Sequence, residues 1–319
     1  MNKKNDLISL IIPTYNGAKT LPNLAEDLLL TFKNHNVEIV IVNDCSPDST
    51  HNDLKALLDK HSNKITYLKL SKNFGEHNSV MAGLRHCEGN LIIIMDDDYQ
   101  NGPTEALKLA KHSLENDFDV VFTKYSVKND SILRNLMSKV ADISAQLILK
   151  KPKDIYFSSF KSVKRNIVNE ILKYEGPFPY IDGLILSITK NIGSYEVTHN
   201  KRELGKSSYN FSKLAKHYSN LIINFSTIPI HFFSIIGFTI TLLSLIYMII
   251  TFVEKILNPN LPIGYSALVM IIIFFSGVQI LFLGLIGEYV GKVLKNVNKE
   301  KQYFIDFIKK KKINCYYQL

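Results

Sequence analysis

Between Leu91 and Gln100 an unbroken apolar run, Leu91-Ile92-Ile93-Ile94-Met95, passes directly into Asp96, Asp97 and Asp98, then Tyr99 and Gln100. Turn formers flank it, Glu88-Gly89-Asn90 before and Asn101-Gly102-Pro103 after. A short apolar run bounded in this way reads as a strand buried on both faces of a parallel sheet. In such sheets ligands bind beyond the carboxyl ends of the strands. Three adjacent carboxylates at that place repel one another, and without a cation at least one would have to keep its proton. A hard divalent ion such as Mg²⁺ relieves this, because it takes oxygen ligands from one or two carboxylates and completes its shell with water and substrate phosphates. Asp-x-Asp at a strand end therefore points to a metal-bound nucleotide diphosphate. The competing reading is a solvated acidic turn ahead of the helix that Pro103 opens.

The rest of the first half sets this strand in a repeating pattern. Leu7 to Ile12 reads as a buried strand ended by Pro13. Thr20 to His35 carries leucines at helical spacing behind a Thr20 cap. Strands over 37–42, 65–70 and 118–123 alternate with helices over 49–61, 77–86 and 104–115. Alternating β and α units predict an open, mostly parallel, Rossmann-like α/β sheet. No Gly-x-Gly-x-x-Gly follows the first strand, so a dinucleotide-dependent oxidoreductase lacks its main support.

The second half is different in kind. From Ser131 to Leu149 apolar residues recur every three or four positions, the mark of an amphipathic helix that packs on its own domain or on lipid. Ile230 to Val253 is 24 residues without a formal charge, and Tyr265 to Gly287 is 23. At about 1.5 Å per residue each reaches roughly 35 Å, enough for a hydrocarbon core of about 30 Å. Two transmembrane helices are therefore expected, a buried helical hairpin being the alternative. The connecting stretch 254–264 has one lysine and one glutamate, whereas 291–319 has eight lysines against Glu300 and Asp306. The positive-inside rule then puts the basic tail and the N-terminal domain in the cytosol. The organisation expected is a cytosolic catalytic domain over 1–226, a membrane hairpin over 227–290, and a basic tail over 291–319, at the inner (cytoplasmic) membrane. The net charge of +9 is concentrated towards the end of the chain without a nucleic-acid motif, so a membrane surface is the expected partner and nucleic acid is not. Cys45, Cys87 and Cys315 have no metal-ligand spacing, which suits a reducing compartment.

Several short motifs fall into one order. Ile11-Ile12-Pro13-Thr14-Tyr15-Asn16, then Val42-Asn43-Asp44-Cys45-Ser46-Pro47-Asp48, then Met95-Asp96-Asp97-Asp98-Tyr99-Gln100 resemble family 2 glycosyltransferases of the GT-A fold. Asn73-Phe74-Gly75-Glu76-His77, Met81-Ala82-Gly83, Arg202-Glu203-Leu204-Gly205-Lys206-Ser207 and Gly287-Glu288-Tyr289-Val290-Gly291 are similar to the polyprenyl-phosphate members of that family. The resemblance covers nearly the whole chain.

The resemblance implies that Asp96, Asp98 and Gln100 hold Mg²⁺ or Mn²⁺, that Asp44 meets the base, and that Pro13, Tyr15 and Asn16 line the nucleotide pocket. It implies contacts to the donor from Arg202, Lys206 and Ser207. The acceptor phosphate would be gripped by Lys124, Arg134 and Ser138, with Asp154 assisting or orienting it. Bland alternatives stand beside these: a purely turn-shaping role for Pro13 and Tyr15, a solvated helix flank for Arg134 and Ser138, and a cap or strand start for Asp154. The chain departs from the family pattern at Gly17, where an acid is common, at Asn43, which replaces the first aspartate of a pair, and at Gly205-Lys206-Ser207-Ser208, where the lysine is displaced.

The expected protein is an inverting glycosyltransferase moving one sugar from a nucleotide sugar, UDP-linked, to undecaprenyl or another polyprenyl phosphate at the cytosolic membrane face, assembled as a homo-oligomer. A processive polysaccharide synthase is the enzymatic alternative, though the Gln-x-x-Arg-Trp motif expected of one needs a tryptophan and the chain contains none. A non-catalytic lipid-phosphate-binding scaffold on the same fold is the other.

Overall fold

The structure, a computed structural model, describes residues 7–125, 155–197, 265–298 and 300–310, with isolated positions between 235 and 257. The described chain forms two compact units, one of residues 1–209 with 299–319 and one of residues 210–298.

The first unit is built on one sheet. Its strands are β1 (Ile8–Thr14), β2 (Val37–Asn43), β3 (Ile65–Leu70), β4 (Leu91–Ile94), β5 (Val120–Tyr125), β6 (Lys161–Lys164), β7 (Ile192–Val197) and β8 (Ile305–Lys309). They lie in the order β7-β5-β6-β4-β1-β2-β3-β8. Pairing is parallel from β4 through β1 and β2 to β3, and between β5 and β7. It is antiparallel where β6 inserts between β4 and β5, and where β8 closes the edge beside β3. The expected mostly parallel sheet is present, with β4 near its middle.

Side-chain alternation explains the layers. Successive residues of a strand face opposite sides. On β1, Ile8, Leu10 and Ile12 join one buried cluster with α1 (Leu21–Thr31), α2 (Thr50–Lys60) and α4 (Pro103–Glu115). Ile11 faces the other way, into a cluster with α3 (Glu76–His86), α5 (Arg165–Ile171) and α6 (Ile181–Ile188). On β4, Leu91 and Ile93 join the first cluster, Ile92 and Ile94 the second. The continuous apolar run is thus the signature of a strand covered on both faces.

Some boundaries move. Pro13 was expected to end the first strand, yet β1 continues to Thr14. The reason lies in the register: pairing with β4 stops at Ile11 opposite Ile94, while Pro13 still lies opposite Val42 of β2. A proline is tolerated where one side of the ladder has already ended. Thr20 makes no side-chain cap bond to α1, so the expected cap is absent. The amphipathic segment 131–149 lies outside the described residues.

The tail contains more than charge. Its segment Ile305–Lys309 is a strand of the same sheet, with Leu68 opposite Ile308 and Lys69 opposite Phe307. Gln302 is buried, and its amide nitrogen donates to the carbonyls of Tyr174 and Gly176, both at 2.9 Å.

In the second unit α7 (Tyr265–Val297) is a helix of 33 residues, about 50 Å long at the usual rise. Among the described residues no helix is long and apolar enough to cross a membrane. The expected span 230–253 lies mostly outside those residues, and the side chains of α7 are described only in part.

Candidate functional site

A cavity of about 230 Å³ opens over the carboxyl ends of β1, β2 and β4, lined by Pro13, Thr14, Tyr15, Asp44, Asn73, Gly75, Glu76, Ser79 and Asp96. Strand direction places it there. In a parallel run all strands point their ends the same way, so the residues that follow β1, β2 and β4 gather at one edge. The turns are tightened by three non-glycine residues in the left-handed region, Asn16 (φ 64°) after β1, Cys45 (φ 56°) after β2 and Tyr99 (φ 59°) after β4. Such conformations cost roughly 1 to 3 kcal/mol each and gather at functional sites. Tyr99 is held by its hydroxyl, which donates to Asp27 Oδ2 at 2.8 Å.

Asp44 stands at the inner wall. Its carboxylate accepts the backbone N–H groups of Phe74 at 2.7 Å and Gly75 at 2.8 Å. Burial raises its pKa, and those N–H groups with the Ser79 hydroxyl oppose the rise. Gly75 has φ 90°, a conformation open to glycine, and it is the residue before α3. Asp44 therefore fixes the loop that enters α3 as well as facing the cavity. Tyr15 is half exposed at the mouth. Asn16 does not line the cavity; its backbone N–H donates to Ser46 Oγ at 3.0 Å.

The acids after β4 separate by environment. Asp96 lines the cavity and accepts from Ser159 Oγ. Asp97 turns back towards β1, where Thr14 Oγ1 donates to it. Burial pushes Asp97 up to about 6, Asp96 and Asp98 push the same way, and the Thr14 bond opposes them. Asp98 Oδ1 accepts the backbone N–H of Gln100 at 3.1 Å. Gly17 has its reason here: a Cβ on it would lie 2.2 Å from Thr14 Oγ1 and 2.6 Å from Asp97 Oδ2. An acidic side chain at position 17 is incompatible with this Thr14–Asp97 contact.

Beneath the cavity lies a charged layer the sequence did not announce. Lys161 on β6 and Asp182 on α6 are both buried and paired, and Lys161 Nζ sits 5.2 Å from the centre of the Phe122 ring. Glu76 lines the cavity with exposed surface, while the surrounding protein crowds its carboxyl. Burial, then Asp96, raises its pKa well above the ordinary carboxylate range; Asp182 adds to the rise and Lys161 opposes it.

This donor set suits a divalent cation. Asp96 and Asp98, with Gln100 beside them, supply oxygen ligands only, two of them charged, as Mg²⁺ or Mn²⁺ requires. The buried Lys161 is engaged by Asp182. Among the described residues no three His, Cys, Asp or Glu side chains group so as to hold a metal by themselves.

Lys124 is exposed on β5, opposite Glu196 of β7. Arg134, Ser138, Asp154, Arg202, Lys206 and Ser207 lie outside the described residues. The residues that sequence reading left without a role are Thr14, Ser79, Ser159, Lys161, Asp182 and Glu76. Glu76 was visible within the Asn73-to-His77 motif, but Ser159 and Lys161 follow from the β4–β6 register, which sets Ile94 opposite Lys161.

An α/β sheet with a pocket over its strand ends, lined in part by acids, belongs to the class of α/β proteins that bind ligands beyond the carboxyl ends of their strands. Comparison with known proteins narrows the class. Residues 9–172 match the profile of Glycosyl transferase family 2, and residues 228–293 match the GtrB C-terminal hairpin. The undecaprenyl-phosphate 4-deoxy-4-formamido-L-arabinose transferase of Pseudomonas savastanoi pv. phaseolicola is 30% identical over 94% of this chain and 90% of its own. The protein of the same name from Photorhabdus laumondii is 29% identical over 93% of each. CsbB of Bacillus subtilis is 32% identical over 95% of this chain and 92% of its own. Among solved structures, glucosyl-3-phosphoglycerate synthase from Mycobacterium tuberculosis, in complex with Mn²⁺, UDP and phosphoglyceric acid, superposes with a TM-score of 0.53 at 15% identity, covering 69% of this chain and 78% of that one. At that identity the likeness speaks to the fold. The chain belongs to glycosyl transferase family 2.

Proposed function

We propose that the protein transfers a single sugar from a UDP-linked donor to undecaprenyl phosphate, or a related polyprenyl phosphate, at the cytosolic face of the membrane. The observation that carries this is the cavity over β1, β2 and β4, with Tyr15 and Asp44 at one part and Asp96 at another, in a chain similar over nearly its full length to undecaprenyl-phosphate sugar transferases.

In this reading Tyr15, Pro13 and Asp44 receive the nucleoside, while Asp96, Asp98 and Gln100 hold the ion against the diphosphate. A bound Mg²⁺ or Mn²⁺ supplies Lewis-acid stabilisation of the departing diphosphate. An acceptor phosphate oxygen forms the new bond to the anomeric carbon as the bond to the nucleoside diphosphate breaks, with inversion. A phosphate monoester has its second pKa near 6, so much of the acceptor is already dianionic at neutral pH and needs little help from a base. Lys124, Arg134 and Ser138 would hold that phosphate.

Two observations support a membrane hairpin. The part of α7 from Tyr265 to Gly287 has no formal charge, and Leu268, Ile272, Leu283 and Ile286 along it are exposed. Monomeric soluble proteins rarely expose such contiguous apolar surface. β8 belongs to the same sheet as β1, so a chain that leaves after β7 must return to the side it left, which requires an even number of crossings.

The test is a screen of UDP- and GDP-sugars, with Mn²⁺, for transfer onto undecaprenyl phosphate by the full chain in detergent. Product from one UDP-sugar is expected. Turnover of none of them, with intact protein, overturns the reading. Topology is tested by cysteine labelling at Asn260 and Gln318 in intact cells after replacing the native cysteines: only the first should label from outside.

A further inference from the structure

Glu76 has no place in the scheme above, yet it lines the cavity beside Asp96. It is the first residue of α3, directly after Gly75, whose N–H is fixed by Asp44. Its position is thus set by the same loop that closes the nucleoside end. The groups that act on it are named: Asp96 and Asp182 repel its charge, and Lys161 attracts it. Lys161 is buried and paired to Asp182, so it cannot turn outward to neutralise a ligand. An ion held by Asp96 and Asp98 would offset the charges of those two acids while it is shared with the diphosphate. Glu76 would remain as an acceptor-rich group next to the diphosphate, where the sugar begins.

The chemistry that fits this place is a hydrogen-bond donor. A sugar hydroxyl or amino group can be accepted by the carboxyl oxygens, whereas a sugar carboxylate would meet the like charge of an ionised Glu76 in the same cavity. A site built to hydrogen-bond a substrate group rejects analogues that leave it unpaired, and juxtaposed like charges reject wrong partners.

We propose that Glu76 selects the transferred sugar, accepting a hydrogen bond from a hydroxyl or amino group of a neutral or amino sugar and excluding sugars that carry a carboxylate. This rests on the nucleotide-sugar reading of the cavity.

The experiment uses the full chain in detergent with Mn²⁺ and compares wild type, Glu76→Gln and Glu76→Ala. Calorimetry measures binding of UDP, UDP-glucose, UDP-galactose, UDP-N-acetylglucosamine and UDP-glucuronic acid. Wild type should bind at least one neutral UDP-sugar more tightly than UDP-glucuronic acid. Glu76→Gln keeps the shape and removes the charge, so it should retain UDP affinity and narrow that preference by roughly tenfold, the low end for a lost hydrogen bond to a charged group. Glu76→Ala should weaken the neutral UDP-sugar relative to UDP. If wild type takes UDP but both variants leave the preference unchanged, or lose UDP and UDP-sugar in step, the assignment to Glu76 is wrong while the donor reading stands. If wild type binds neither UDP nor any UDP-sugar, the donor reading fails and the assignment falls with it.

Discussion

Asn43 donates its side-chain amide to the hydroxyl of Tyr67 at 3.0 Å, while its own carbonyl oxygen accepts the backbone N–H of Ser46 at 2.8 Å. Asn43 is the residue that stands in place of an aspartate, and it is fully buried. An amide can serve a donor and an acceptor at once without a buried charge, which a carboxylate cannot do. The Tyr67 hydroxyl also lies 3.0 Å from His51 Nδ1, so the turn after β2 is tied to β3 and α2 just behind Asp44.

The first prediction follows from this network. Burial pushes Tyr67 up to about 12, with the Asn43 bond opposing. Between the ordinary tyrosine value of 10.0 and that raised value the unfolded chain has released a proton that the folded chain retains. Stability therefore falls as pH rises through this window, and below it the Tyr67 contribution is fully present and independent of pH. Tyr67→Phe should flatten the alkaline loss, at a cost near neutral pH of about 1 to 3 kcal/mol for the unserved Asn43 amide. Thermal melting in detergent from pH 7 to 11.5 checks both; an unchanged alkaline slope in the variant would refute the first.

The second concerns the ion. Asp98→Asn removes a charged ligand while leaving its bond to the Gln100 backbone possible. Loss of comparable electrostatic stabilisation lowers kcat by on the order of 10² to 10³. Excess EDTA should abolish transfer by wild type, and Mn²⁺ should restore it. Full turnover by the variant, or by wild type in EDTA, removes Asp98 from the metal site.

How much of this could be read without coordinates differed by element. The β1-to-α4 alternation was legible because each strand there is apolar on both faces and each helix shows its period locally. β6 and β8 were not. β6 is Lys-Ser-Val-Lys, and its lysine is buried only because Asp182 arrives from another helix. β8 is Ile-Asp-Phe-Ile-Lys, too short and too charged amid lysines to show a strand period, and Lys69, which pairs with its Asp306, is 237 residues away. Sequence read it as a basic tail for that reason. At the site, Pro13, Tyr15, Asp44 and Asp96 meet in one cavity as their strand-end positions suggested. Ser159 and Lys161 depend on antiparallel register, which no local pattern encodes.

A third prediction separates the two substrates. Arg134→Ala should leave UDP and Mn²⁺ binding intact while transfer to polyprenyl phosphate falls. Arg–phosphate contacts are charge-assisted and often bidentate, so Arg134→Lys should restore only part of the rate. A lost bond to a charged group is worth roughly 1.5 to 3 kcal/mol, about a tenfold to 150-fold change. Equal loss of donor affinity would place Arg134 at the donor instead.

The last prediction tests the return of the chain to the sheet. Gln302 satisfies the carbonyls of Tyr174 and Gly176 and also lies 3.5 Å from Arg85 Nη2. The exposed pairs Lys69–Asp306 and Lys309–Asp59 contribute little, as surface ion pairs do. The hold on β8 therefore rests on its backbone ladder, on the packing of Phe307 against His51 and Tyr67 and of Ile305 against the core, and on Gln302. Replacing Gln302 by Ala leaves two carbonyls without their partner, a loss of about 1 to 3 kcal/mol, whereas Asp306→Asn should change little. Hydrogen exchange should show the amide of Ser71, which bonds the Phe304 carbonyl at 2.9 Å, and those of 305–309 losing protection in Gln302→Ala, with β1 and β4 unchanged. If Gln302→Ala leaves β8 as protected as in wild type while Asp306→Asn exposes it, the surface charges and not the buried amide hold the strand.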